Sequence, residues 1–153
     1  MRPRRSLRLS ILIAVGLLAA GCGHDVTAPG VTAIAAHRAR WTAHALTRYA
    51  YDYRVVGTNI STAGKLIHLV VIDGTVNSAT IASTGESAPG APGSWPTIDA
   101  LFDEADAAAR AHGLDGIVFD ASLDYPAELD LAGPPDAARS EFASGVQPLP
   151  TGS

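Results

Sequence analysis

The chain has 153 residues, of which 47% are apolar and 17% are charged, a length and composition typical of one folded domain. Its net charge is −4, but residues 22–153 carry 7 basic and 15 acidic residues, a net charge of −8. We therefore expect no nucleic-acid binding, because phosphate recognition needs a basic surface. A single cysteine excludes an internal disulfide and a multi-cysteine metal site.

The first residues have the layout of a bacterial signal peptide. Four arginines precede the uncharged apolar run 11–20. Ten helical residues reach about 15 Å, half of a bilayer core of about 30 Å. The run is therefore too short to span a membrane, and we predict a cleaved signal peptide over residues 1–21.

The segment 18–22, Leu-Ala-Ala-Gly-Cys, resembles the lipobox of bacterial lipoproteins. In that class the chain is cut before the cysteine, which receives a diacylglycerol and often a further fatty acid such as palmitate. We therefore predict cleavage between Gly21 and Cys22 and a membrane anchor at Cys22, followed by a flexible stalk to residue 30. An ordinary secretory signal is the alternative. Gly23 favours the outer membrane, facing the periplasm, in a host with two membranes, by resemblance to lipoprotein sorting.

The first predicted element of the domain is a helix over about 32–47, in which apolar residues recur at helical spacing and Trp41 is the core anchor. A strand over 49–56 follows, because aromatic and other residues alternate there. Three tyrosines share one side of this strand: Tyr49, Tyr51 and Tyr53. They form either a binding surface or a sheet face packed under a helix, with their hydroxyls at the rim.

Asp-Gly at 73–74 separates two β-rich runs, 65–72 and 75–81. This pattern predicts a hairpin with a type I′ turn, in which both central residues have positive φ. Pairing around such a turn places Val71 opposite Val76.

The next stretch, 84–96, is rich in Gly, Pro and Ser and predicts a loop. Trp95 near its end is either an exposed anchor for a partner or a side chain folded back onto the core. Thr97 then caps a second helix over 98–112. Acidic residues in its first two turns, Glu104 among them, suit the helix dipole.

Alternation and turn signals predict three further strands over 117–121, 127–131 and 142–146. The order of elements predicts a single α+β domain over residues 31–147, with a disordered tail over 148–153. Within the domain we expect two helix-plus-three-strand units that form an antiparallel sheet with the helices packed on one face. Whether the strands form one sheet or two stays open.

Several short motifs follow the order seen in the family called domain of unknown function 6174, which residues 35–146 resemble. They are Tyr51-Asp52-Tyr53, Val71-Ile72-Asp73-Gly74-Thr75-Val76, Thr97-Ile98-Asp99-Ala100-Leu101-Phe102-Asp103 and Asp124-Tyr125-Pro126. The resemblance implies a bacterial protein that is secreted or lipid-anchored, without an assigned activity. Many members carry a cysteine pair where this chain has 58–61, and a glycine where it has Asp124, a residue that tolerates a left-handed turn.

The preferred functional hypothesis is a non-enzymatic envelope lipoprotein that binds a protein or small ligand, because the sequence contains no catalytic motif, metal-ligand set or cofactor fingerprint. A structural or assembly accessory of the envelope is the alternative. A hydrolase with paired carboxylates from Asp120, Asp124 and Asp130 is the less favoured third hypothesis.

Overall fold

The structure is a computed structural model that describes residues 30–150. The predicted signal peptide 1–21, the lipidation site Cys22, the stalk up to residue 29 and the last three residues of the predicted tail lie outside the described residues. Within residues 30–150, no helix has the length and apolar character needed to cross a membrane.

The described chain contains two helices and six strands, which we number in chain order. They are α1 (Val31–Ala43), β1 (Arg48–Gly57), β2 (Ile67–Ile72), β3 (Thr75–Ile81), α2 (Ile98–Arg110), β4 (Leu114–Phe119), β5 (Pro126–Leu131) and β6 (Arg139–Pro148). The strands form one antiparallel sheet in the order β3-β2-β1-β6-β5-β4. The predicted α+β class is therefore confirmed, and the six strands belong to one sheet.

The first helix ends at Ala43, four residues before the predicted boundary at 47. Its end is set by the backbone, because Ala45 has a left-handed φ of 52° and the last amides bond to carbonyls only three residues earlier. Trp41 is 4% exposed, and its ring meets Tyr49 edge-on at 5.5 Å. The predicted anchor role of Trp41 is confirmed.

The hairpin between β2 and β3 has the predicted turn. Asp73 and Gly74 both have positive φ, 49° and 75°, as a type I′ turn requires. Val71 pairs with Val76 as predicted. The second helix begins as predicted, because the Thr97 hydroxyl accepts a hydrogen bond from an amide of the first turn at 3.1 Å.

Two strands differ from their predicted bounds. β4 begins and ends earlier than the predicted 117–121. β6 has ten residues instead of the predicted 142–146, and the Leu149 amide also donates to the Arg48 carbonyl. The predicted start of the tail at residue 148 is therefore wrong. β6 pairs on both sides, and these hydrogen bonds, which do not depend on apolar alternation, set its length.

Neighbouring residues of a strand point to opposite sides of the sheet, so the sheet has two distinct faces. We call the side with Tyr49, Tyr51, Tyr53 and Val55 the tyrosine face, and the side with Arg54, Val56 and their cross-strand neighbours the open face. Buried residues of the tyrosine face form one core cluster with buried residues of both helices. The helix residues in that cluster are Ile34, Trp41, Ile98, Leu101, Phe102 and Ala105.

Candidate functional site

The three tyrosines predicted as a possible binding surface are buried. Tyr49, Tyr51 and Tyr53 are 2%, 1% and 6% exposed. The Tyr49 hydroxyl accepts a hydrogen bond from the Ile98 amide at 3.2 Å, and the Tyr51 hydroxyl donates to the Pro96 carbonyl. Burial raises the pKa of Tyr49 to about 12. The binding-surface interpretation is therefore wrong, because these rings belong to the core and two of their hydroxyls hold the start of α2.

Trp95, the other residue of the predicted binding surface, follows a tight turn at Pro92–Ser94. Its half-buried ring packs edge-on against Tyr53, with the ring centres 6.1 Å apart. Its indole N–H is buried and finds no hydrogen-bond acceptor within residues 30–150. Trp95 therefore folds back onto the core, the second of its two interpretations, and forms no exposed platform with the tyrosines.

A charged group that the sequence analysis missed lies at the edge of the tyrosine face. Glu141 of β6 is 5% exposed and is the most buried charged side chain of residues 30–150. Arg139 Nε donates to Glu141 Oε1 at 2.7 Å, and the same guanidinium donates to Glu104 of α2. Tyr53 lies beside Glu141. We call these four residues the glutamate cluster.

The glutamate cluster has one cation for two carboxylates. Burial and the negative charge of Glu141 raise the pKa of Glu104, although Arg139 opposes the shift. Burial and Glu141 also raise the pKa of Tyr53. The cluster therefore favours a proton on Glu104, because two buried negative charges near one positive charge repel each other.

Paired carboxylates can perform acid–base chemistry, but the surroundings of the glutamate cluster favour a structural role. Glu104 and Arg139 line a groove of about 340 Å³ beside α2. The other lining residues are alanine, glycine and leucine, which supply no nucleophile and no metal ligand. The cluster therefore holds α2 to β6. The sequence carried one signal for it, a basic and an acidic residue two apart at 139 and 141, which share one strand face.

A second polar cluster joins α1 to the turn between β4 and β5. The His37 ring stacks on Phe119 at 3.6 Å, and its Nδ1 lies 2.8 Å from the Asp124 carboxylate. Arg40 also donates to Asp124, at 2.9 Å, and this hydrogen bond lowers the pKa of Asp124. Asp124 has a φ of 62°, so the predicted left-handed turn is present. The cluster holds this turn against α1.

The aspartates of the hydrolase hypothesis each have a local partner. Asp120 accepts hydrogen bonds from the amides of Ser122 and Leu123 at 2.9 and 2.8 Å. Although burial opposes the shift, these bonds lower the pKa of Asp120. Asp130 accepts from the Ser140 hydroxyl at 2.5 Å. In the part of the chain that the structure describes, no group of three or more His, Cys, Asp or Glu could hold a metal ion.

Exposed apolar side chains gather on the open face. Val56, Leu66 and Val118 are the exposed large apolar residues of the described chain, at 45%, 41% and 54%. Val118 lies opposite Glu128, which lies opposite Phe142, which lies opposite Arg54. Residues directly opposite each other point to the same side of a sheet, so Val118 lies on the open face. Leu66 directly precedes β2 and lines the same groove as Arg54 of β1. These residues could not be identified from the sequence, because the aromatic alternation of β1 indicates only the opposite side of the sheet.

Arg54 and Phe142 lie at the centre of the open face. The guanidinium carbon of Arg54 is 4.5 Å from the centre of the Phe142 ring, a cation–π contact. Both residues, with Leu66 and Ser144, line a groove of about 470 Å³. Four other arginines of residues 30–150 form ion pairs, but Arg54 forms none there. Its charge is therefore available to a partner.

The comparisons with known proteins give a family and no activity. The model of a family of unknown function, DUF6174, matches residues 33–149. No curated protein and no solved structure matches the chain. The matched range runs from α1 to the end of β6 and contains all the motifs that carry the resemblance.

Proposed function

We propose, for a chain that belongs to the DUF6174 family of unknown function, that the protein is a non-enzymatic binding module of the bacterial cell envelope. Its contact surface is the open face of the sheet. The observation that carries this proposal is the position of the three exposed large apolar side chains on that face, around the contact of Arg54 with Phe142. Large exposed apolar side chains that share one face are typical of interaction sites.

The polar clusters support a binding role over a catalytic one. The glutamate cluster joins α2 to β6, and His37 with Arg40 joins α1 to the turn at Asp124. In both clusters the charged groups are engaged with each other across elements, as expected for groups that hold a fold together. On the open face, in contrast, Arg54 and Glu128 belong to no ion pair of residues 30–150, although Asp52 pairs there with His68.

The anchor in this proposal is a lipidated Cys22, which places the domain on a membrane, the outer membrane facing the periplasm in a host with two membranes. The basic start, the apolar run 11–20 and the lipobox-like segment 18–22 support it. Residues 23–29 separate Cys22 from the described domain. Seven residues extend to at most about 25 Å, so the domain stays close to the membrane.

The proposal includes the finer architecture of two helix-plus-three-strand units with both helices on the tyrosine face. The element order supports it, with one helix before β1 to β3 and one before β4 to β6. The contacts of Trp41 and Ile98 with Tyr49 also support it, since one residue comes from each helix. In this arrangement the helices leave the open face to a partner.

Metabolic labelling with a clickable fatty acid tests the anchor. We expect the wild-type chain to be labelled and to sediment with membranes, because acyl chains partition into lipid. The Cys22→Ser chain should be unlabelled and aqueous. An unlabelled wild-type chain in the aqueous fraction would contradict the anchor while leaving the open face untouched.

Photo-cross-linking in live cells tests the contact surface. A photoreactive amino acid at Val118, 54% exposed on the open face, should cross-link to a partner identified by mass spectrometry. The control position is Ala107, an exposed residue of α2. Equal cross-linking from the two positions would rule out the open face as the specific surface. A large complex that co-purifies stably would instead favour the assembly-accessory alternative.

A further inference from the structure

Five residues form one row across the open face. Val118 of β4 lies opposite Glu128 of β5, which lies opposite Phe142 of β6, which lies opposite Arg54 of β1. Continuing the register of β1 and β2, in which Tyr53 pairs with Ile67, places Leu66 beside Arg54. The row therefore reads apolar, acidic, aromatic, basic, apolar, with Phe142 at its middle.

This row is complementary to itself. A twofold axis that runs parallel to β6, above Phe142, relates the sheet to a second sheet that faces it. Because this rotation exchanges the two sides of β6, it places Arg54 of each copy over Glu128 of the other. The same axis places the two Phe142 residues, each under its own Arg54 guanidinium, at the centre of the contact and sets Val118 of each copy against Leu66 of the other. Two sheets in this arrangement pack with their strands aligned, as in a β-sandwich.

Both charges of the row lack an ion-pair partner within residues 30–150. Among the ion pairs of residues 30–150, none contains Arg54 or Glu128, although the two residues flank Phe142 on neighbouring strands. In the paired arrangement each charge meets an opposite charge, and the apolar ends of the row cover each other. Because each copy of the row complements another copy of the same row, the arrangement favours a second copy of this chain over other partners of the open face.

We propose that the partner of the open face is a second copy of this chain, bound through a twofold axis along β6. This inference rests on the proposed function, since it names the partner of the same surface.

The size of the face suits such a dimer. Five strands about 4.8 Å apart and about 20 Å long present roughly 500 Å² on each copy, or about 1,000 Å² for the pair. This area is at the lower limit for a specific interface, so we expect a dimer that dissociates readily in dilute solution. An anchor at Cys22 strengthens it, because two copies on one membrane have a high effective concentration.

The symmetry is compatible with the proposed anchor. A twofold axis places equivalent atoms of both copies at the same height along the axis. When the axis stands perpendicular to the membrane, both copies of Gly30, the first described residue before α1, lie at the same distance from the lipid. Both anchors therefore reach one membrane.

Cross-linking of cysteine variants in cells tests the dimer on the full chain. The reporter is Ser144→Cys, which keeps Phe142 and changes an exposed residue of β6 two positions further along the strand, so the two new thiols face each other at the axis. Packed sheets are about 10 Å apart, beyond the reach of a disulfide, so the reagent is a short bis-maleimide. We expect a species of twice the chain mass from Ser144→Cys and none from Ala107→Cys, a control on the exposed side of α2.

Charge reversal tests the register of the interface. In the Ser144→Cys background, Arg54→Glu or Glu128→Arg should each reduce the doubled species about tenfold or more, because the symmetry makes every like-charge contact occur twice. The double variant Arg54→Glu with Glu128→Arg should restore it. Its recovery also shows that the fold accepts both substitutions together.

The outcomes separate this inference from the proposed function. A Ser144→Cys chain that cross-links to a different polypeptide overturns the dimer and leaves the open face as a binding surface. A doubled species that is insensitive to both charge reversals overturns the twofold register. A Ser144→Cys chain that forms no cross-link overturns the dimer. If the photoreactive residue at Val118 also cross-links to no partner, the proposed function is overturned.

Discussion

The two faces of the sheet are built from alternating residues of the same strands, yet they differ in burial and in the pairing of their charges. Tyr53 is 6% exposed and lies beside the buried Glu141, whereas its neighbour Arg54 lies over Phe142 without an ion pair. The tyrosine face, which is covered, contains most of the large aromatic side chains of the sheet. The open face contains fewer of them and carries the exposed apolar residues. Aromatic enrichment in a strand thus indicates the core more strongly than it indicates a binding surface.

The largest effect should come from the centre of the tyrosine face. Tyr51→Ala should lower the free energy of unfolding by about 3–5 kcal/mol, because it leaves a cavity among fully buried side chains. Arg54→Ala, the matched change on the open face, should cost about 1 kcal/mol or less, the value of a surface cation–π contact. Urea unfolding monitored by circular dichroism measures both. Equal losses would contradict the division into two faces.

Removing the cation of the glutamate cluster should have the next largest effect. Arg139→Met leaves two carboxylates together without a positive charge and should cost about 2–3 kcal/mol, less than a fully buried pair because the Arg139 side chain is 36% exposed. Adding Glu141→Gln should recover part of the loss. The control is Arg110→Met, which removes a solvent-exposed pair within α2 and should change little. A loss that Glu141→Gln does not reduce would contradict the electrostatic cause.

The glutamate cluster should also make stability depend on pH in a defined direction. The pKa of Glu104 is raised from 4.5 in the folded chain, so the folded state holds its proton at a pH where the unfolded state has lost it. The contribution of Glu104 is therefore fully present below about pH 4.5 and is lost as the pH rises through the higher folded value. Unfolding measured across this range should show the decline in the wild-type chain.

Glu104→Gln is the variant that checks this assignment. A glutamine keeps the shape of the protonated acid and does not titrate, so the decline with rising pH should disappear. An identical decline in the variant would mean that another group is responsible.

The smallest effect on stability should come from the edge of the open face. Val118→Ser should change the free energy of unfolding by no more than about 0.5 kcal/mol, because the side chain is exposed. The yield of cross-linked species formed through the open face should fall. The same change at Val71, which is 0% exposed, should cost about 2 kcal/mol or more. A large stability loss at Val118 would assign it to the core and remove it from the contact surface.

Local features of the fold could be predicted from the sequence. The turn at Asp73 and Gly74, the pairing of Val71 with Val76 and the Thr97 cap were all predicted correctly. Each depends on residues within a few positions of one another, whose backbone preferences and hydrogen bonds act at short range.

Features that join distant residues could not be predicted in the same way. His37 and Asp124 are 87 residues apart and Arg139 and Glu104 are 35 apart, and each pair meets only because the fold brings a helix against a distant turn or strand. The length of β6 was missed for a similar reason, since its polar residues are held by strands on both sides. Glu141 can be buried there only because Arg139 lies against it.

The sequence by itself determined the α+β class, the family, the helix and hairpin starts and the alternation that gives the sheet two faces, because propensity, capping and period-two patterning act between near neighbours. Only the tertiary structure decided that the tyrosines are covered and that Val118, Phe142 and Leu66 lie in one row across the open face. Alternation separates two sides of a strand, but which side loses water depends on where the helices pack and on the cross-strand register.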